Sequence, residues 1–128
     1  MTLLLETGPV VAAIDRSDNH HARCAALLES AEGPLLIPTT VTLEVCWLVE
    51  ERPDIEAAFL EAIAAGEFEH VPVTAADIAR MAELVRTYAD LPLGAVDASV
   101  IAVAERLKLT DVATLEARPA CTVRLCAT

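Results

Sequence analysis

Basic residues are scarce in this chain: 9 Lys and Arg stand against 20 Asp and Glu, for a formal net charge of -11 and a pI near 4.5. Proteins that grip nucleic acid non-specifically are usually basic, because phosphate contacts dominate their affinity. An acidic chain can still approach a phosphate if bound cations offset a local acidic pocket, or if a basic protein partner covers the acidic surface. Aromatics are nearly absent at 3%, while hydrophobic residues make up 55%, so the core must be built from Leu, Val, Ile and Ala. At that hydrophobicity a disordered chain is excluded despite the charge. No apolar run approaches the ~18 residues that span a bilayer. Glu6 interrupts the only short apolar stretch near the N-terminus, so no signal peptide is read.

The four cysteines, Cys24, Cys46, Cys121 and Cys126, form no CxxC pair and no zinc-type spacing with histidine. They read as free thiols in a reducing, cytoplasmic setting. GxxxxGK[ST] and GxGxxG loops are missing, as is a serine nucleophile elbow, so those nucleotide and hydrolase classes lack support. A receiver-type signalling domain needs a lysine near its acidic pocket, and the single lysine, Lys108, does not supply it.

What is present is an alternation of short apolar runs and amphipathic segments over 128 residues, the length of one domain. Strands are expected at 2–5, 35–37, 68–73, 111–115 and 122–126. Helices are expected at 9–14, 19–31, from a threonine cap near Thr39 and Thr40 to before Pro53, at 54–65, from Thr74 to about Ala89, and at 97–107. Gly66 reads as a helix stop, and Thr74 with Asp77 as a capping box. Strands alternating with helices imply an α/β domain with a parallel sheet flanked by helices.

Four acids lie where these elements meet: Glu6 in LLLETG, Glu44 in TTVTLEVCWLV, Asp97 in PLGAVDASVIAVA and Glu116 in VATLEARP. In an open parallel sheet the ligand edge is at the carboxyl ends of the strands. Glu6 and Glu116 end strands, and Glu44 opens the helix after a strand. Asp97 joins them if its helix runs antiparallel to the strand that follows. Clustered carboxylates repel one another, and a shared cation relieves that repulsion. Oxygen donors select hard ions such as Mg²⁺ or Mn²⁺, which assist displacement at phosphorus. His20 and His21 read as surface residues, and Trp47 as core or interface. Arg16, Arg23 and Arg118 are candidate phosphate contacts, since a guanidinium fork suits phosphate oxygens.

These residues resemble the PIN-domain nucleases, in particular bacterial VapC-type toxins. The resemblance covers nearly the whole chain and is most specific in YADLPLGAVDASVIAVAERLKLTDVATL. It implies a single PIN-like domain over 1–128, a three-layer α/β/α sandwich with strand order 3-2-1-4-5. It also implies Mg²⁺- or Mn²⁺-dependent endoribonuclease activity through metal-activated water, a VapB-like antitoxin partner and a homodimer. The resemblance assigns Glu6, Glu44, Asp97 and Glu116 to the four catalytic acids, with Glu6, Asp97 and Glu116 on the metal. Thr7 maps to a hydroxyl beside the first acid, and Ser99 stands near Asp97 as a supporting residue. The family pattern carries Asp where this chain has Glu6 and Glu116. The alternative is therefore a catalytically weakened PIN module that mainly binds its antitoxin.

Overall fold

The computed structural model describes residues 2–115 and the pair Arg124–Leu125. Four parallel strands form the centre: β1 (Leu3–Leu5), β2 (Leu35–Pro38), β3 (Glu69–Val71) and β4 (Val112–Thr114). The two-residue β5 (Arg124–Leu125) pairs outside β4, and the order is β3-β2-β1-β4-β5. Leu3 and Leu4 register with Leu35 and Leu36 on one side, and Leu4 and Leu5 with Val112 and Ala113 on the other. β1 is thus the centre of the sheet, which explains why Leu3, Leu4 and Leu5 are all fully buried. A strand covered on both faces reads as a continuous apolar run with no alternation.

The helices are α1 (Thr7–Ile14), α2 (His21–Ser30), α3 (Thr39–Leu48), α4 (Pro53–Ala64), α5 (Ala75–Thr87) and α6 (Ala95–Leu107). One core gathers the three leucines of β1 with Val10, Ile37, Val41, Val45, Phe59, Val100 and Val103. A smaller cluster of Leu84, Leu93, Ala98 and Ile101 joins α5 to α6. Among the described residues no helix is long and apolar enough to cross a membrane.

The sequence reading of α5 is matched in detail. Thr74 Oγ1 accepts from Asp77 N at 3.1 Å, and Thr74 N donates to Asp77 Oδ2 at 3.0 Å, the reciprocal capping box. Gly66, just past α4, sits at φ +86, the left-handed geometry that favours glycine at a helix stop. Some expectations differ from the structure: α6 begins two residues early at Ala95, β3 is shorter at Glu69–Val71, and two further differences have a clear cause. α1 begins at Thr7, two residues early, because Pro9 is accepted inside a first helical turn, where its missing N–H costs nothing. No threonine caps α3, since Pro38 occupies the cap position. Thr39 Oγ1 instead donates to Val71 O at 3.3 Å, and Thr40 Oγ1 hydrogen-bonds Ser99 Oγ at 2.5 Å. Both threonines tie α3 to its neighbours, which satisfies their hydroxyls better than a local cap does.

Candidate active site

A cavity of about 570 Å³ opens at the carboxyl edge of the sheet. Glu6 and Thr7 reach it from the end of β1 and the start of α1. Glu44 and Leu48 reach it from α3, Asp97 from the first turn of α6, and Thr114 from the end of β4. Asp18 lines it from the loop between α1 and α2. The expected antiparallel run of α6 thus brings Asp97 to the same edge as Glu6 and Glu44. Glu116 and Arg118 lie outside the described residues.

Glu6 is 5% exposed and holds the N-cap position of α1, yet its side chain makes no cap bond. Its backbone N–H donates to Ala113 O at 3.1 Å, which pins it beside β4. Its carboxylate Oε2 accepts the hydroxyl of Thr114, itself buried. A buried carboxylate needs such compensation, because it has lost its hydration. Thr7 Oγ1 is buried at the same cavity, and among the described residues it has no hydrogen-bond partner. A buried hydroxyl left unsatisfied costs about 1–3 kcal/mol, so it marks a place for a ligand or water. Gly8 lets the first turn of α1 approach β4: a Cβ there would meet Leu115 Cδ1 at 3.1 Å.

The charged residues of the cavity are all acidic. Glu6, Asp18, Glu44 and Asp97 line it, and no Lys, Arg or His is among its described lining residues. Its donors are all oxygen, the chemistry of a hard divalent cation. Among the described residues, no three His, Cys, Asp or Glu side chains come together tightly enough to form a metal-holding group. The donor chemistry therefore fits such an ion, and a closed ligand set does not form within these residues alone.

Ser99 is fully buried and is not a lining residue; its Oγ donates to Val96 O at 2.6 Å and meets Thr40, which ties α6 to α3. Arg16 and Arg23 are exposed, on the loop after α1 and on α2. Trp47 is 67% exposed rather than core, beside Leu43 at 65% on α3. Cys24 is buried, whereas Cys46 is half-buried with its thiol pushed up first by burial and then by the nearby Glu56 charge.

Sequence reasoning missed two residues at the cavity. Asp18 read as a turn residue, and Thr114 went unnoticed although it stands two places before Glu116. It also missed the ion pair between Asp15 and Arg52, whose nitrogens donate to Asp15 at 3.1 and 2.8 Å. Arg52 first, then the Ser17 hydroxyl and backbone N–H, hold the Asp15 carboxyl well below the usual carboxylate range. A depressed carboxylate stabilises the fold above its unfolded value of about 3.9, and that contribution is lost as pH falls toward the folded value. The melting temperature of the native chain should therefore exceed that of Asp15→Asn at pH 6. The gap should shrink steadily below about pH 4. A gap independent of pH would contradict this.

Residues 3–120 match the family model for the PIN domain. The chain belongs to the PIN domain family. Ribonuclease VapC26 of Mycobacterium tuberculosis is 29% identical over 118 residues, which covers 91% of this chain and 87% of that protein. Among solved structures, the sarcin–ricin loop cleaving toxin VapC20 of Mycobacterium tuberculosis superposes with a TM-score of 0.80 at 18% identity, covering 86% of each chain. VapBC2 from Rickettsia felis, bound to a promoter DNA fragment, gives a TM-score of 0.70 at 17% identity, covering 98% of each chain. The acidic cavity thus sits on a PIN fold, at the edge where the sequence placed its acids.

Proposed function

We propose that this PIN-domain chain is a metal-dependent endoribonuclease, the toxin of a VapBC-type toxin–antitoxin pair. The single observation that carries the reading is the convergence of Glu6, Glu44 and Asp97 on one cavity, beside a buried Thr7 hydroxyl that has no partner among the described residues. The similarity to a curated ribonuclease and to solved toxins supports it.

In this reading Glu6, Asp97 and Glu116 hold an Mg²⁺ or Mn²⁺ ion. When bound, such an ion makes water a stronger nucleophile near neutral pH and offsets charge on the phosphoryl oxygens. Glu44 orients the attacking water and accepts its proton. Thr114 fixes Glu6, so that the carboxylate does not have to be ordered at the moment of reaction. Thr7 hydrogen-bonds a ligand carboxylate or a metal-bound water. Arg16, Arg23 and Arg118 contact flanking phosphates. Hydrolysis leaves a 5′-phosphate and a 3′-hydroxyl. A homodimer, a VapB-like antitoxin and a cytoplasmic site of action complete the proposal.

The test is incubation of the purified chain with structured RNA and Mn²⁺, with and without a chelator. Cleavage that the chelator abolishes is expected, and unchanged cleavage under chelation would remove the metal from the reading. A second reading, a weakened PIN module that chiefly binds an antitoxin, is motivated by Glu6 and Glu116 standing where the family pattern carries Asp. Antitoxin binding without any RNA cleavage would select it.

A further inference from the structure

Asp18 enters the acidic cavity from a loop held unusually firmly. Asp15, the C-cap of α1, is buried, and its Oδ1 accepts from Ser17 N at 3.0 Å and from Ser17 Oγ at 2.7 Å. Asp18 N donates to Asp15 O at 3.0 Å, and His21 N donates to Asp18 O at 3.1 Å. Asp18 Oδ1 accepts from His20 N at 2.8 Å, and His21 Nδ1 lies 2.8 Å from Ala12 O. The loop is therefore tied at both ends to α1 and α2.

The same Asp15 carboxylate receives both terminal nitrogens of Arg52, 37 positions away. Arg52 is the joint between two helices. Its N–H donates to Val49 O at 2.9 Å behind α3, and its carbonyl accepts Ile55 N and Glu56 N at the start of α4. α3 is the helix that brings Glu44 and Leu48 to the same cavity. A two-pronged guanidinium contact fixes direction as well as distance. The clasp thus ties the loop bearing Asp18 to the segment that follows the helix bearing Glu44. The cavity is marked as a ligand site independently by Thr7, nine-tenths buried with a hydroxyl that finds no partner among the described residues.

We propose that Asp18 is a further cation-directing residue of the cavity, and that Arg52, through its clasp on Asp15, is the positioning residue that holds Asp18 at the cavity that Glu44 also lines. This rests on the divalent-cation reading above. Asp18 adds a carboxylate to the field that attracts the ion. Arg52 acts only through the loop, since its own guanidinium is engaged by Asp15.

Mn²⁺ binding to the full chain, followed by electron paramagnetic resonance of free Mn²⁺, tests this separately from cleavage. Asp18→Asn and Arg52→Ala are each expected to weaken Mn²⁺ affinity by about tenfold. The double variant should be no weaker than the weaker single variant, because both changes remove one contribution. Arg52→Lys should fall between Arg52→Ala and the native chain. A structural role alone would make the two effects multiply, and that outcome overturns the proposal, as does an unchanged affinity in either single variant. If Arg52→Ala does not fold, Ser17→Ala loosens the same carboxylate, and an affinity equal to native overturns it equally. A native chain that binds no Mn²⁺ defeats both readings. One that shows the coupled Mn²⁺ pattern yet cleaves no RNA defeats only the cleavage reading, and one that cleaves with multiplicative effects defeats only the clasp.

Discussion

Replacing Asp97 with Asn is expected to lower RNA cleavage by roughly 10²- to 10³-fold, with the fold intact. The substitution keeps the size of the side chain and removes only its charge. Asp97 sits in the first turn of α6 at the mouth of the cavity. In the proposed reading Asp97 helps hold the cation that offsets charge at phosphorus; losing that hold forfeits several kcal/mol, and each ~1.4 kcal/mol is tenfold in rate. Two small effects on stability oppose one another. The helix N-terminus loses a favourable anion worth about 0.3–1 kcal/mol, while repulsion among Glu6, Glu44 and Asp97 eases. The melting temperature should therefore move little. Rates measured on end-labelled RNA in Mn²⁺ decide the matter, and cleavage by Asp97→Asn at the native rate would show that the cavity is not where the chemistry occurs.

Phe59→Ala is expected to destabilise the fold by about 3–5 kcal/mol, the range for removing a buried aromatic. Phe59 is 2% exposed on α4 and meets Phe68 edge to face, with ring centroids 5.8 Å apart at 66°. The chain has only two phenylalanines, so this pair is the large-volume filling between α4 and the sheet. A domain of this size has about 5–15 kcal/mol in total, so much of its stability would go, with a melting-temperature drop on the order of 10 °C or more. Leu60→Ala, at the adjacent and half-exposed position, is the control and should cost within about 0.5 kcal/mol. Equal losses in the two variants would refute the packing argument.

Much of this fold was legible before any coordinates because its inner strands β2, β1 and β4 are buried on both faces. Leu3–Leu5 and Leu35–Pro38 read as uninterrupted apolar runs, and the helices between them as apolar stripes at helical spacing. The capping box at Thr74 and the stop at Gly66 were visible because each depends on residues a few positions apart. The acids Glu6, Glu44 and Asp97 were legible for a topological reason: a strand's carboxyl end and the following helix's start share an edge whatever the side chains do. Glu116 and its basic neighbour Arg118 lie outside the described residues, so their places in the site rest on the sequence.

The order of elements, the apolar centre and the acidic edge were determined by the chain's own periodicity, since local spacing decides which residues face inward. The three-dimensional packing alone decided that Thr114 anchors Glu6, that Ser99 joins two helices rather than lining the cavity, and that Arg52 reaches back to Asp15. Such contacts join residues up to 108 positions apart. A hydroxyl or guanidinium finds its partner only after the sheet and helices have brought distant segments within about 3 Å, and no local pattern encodes that meeting.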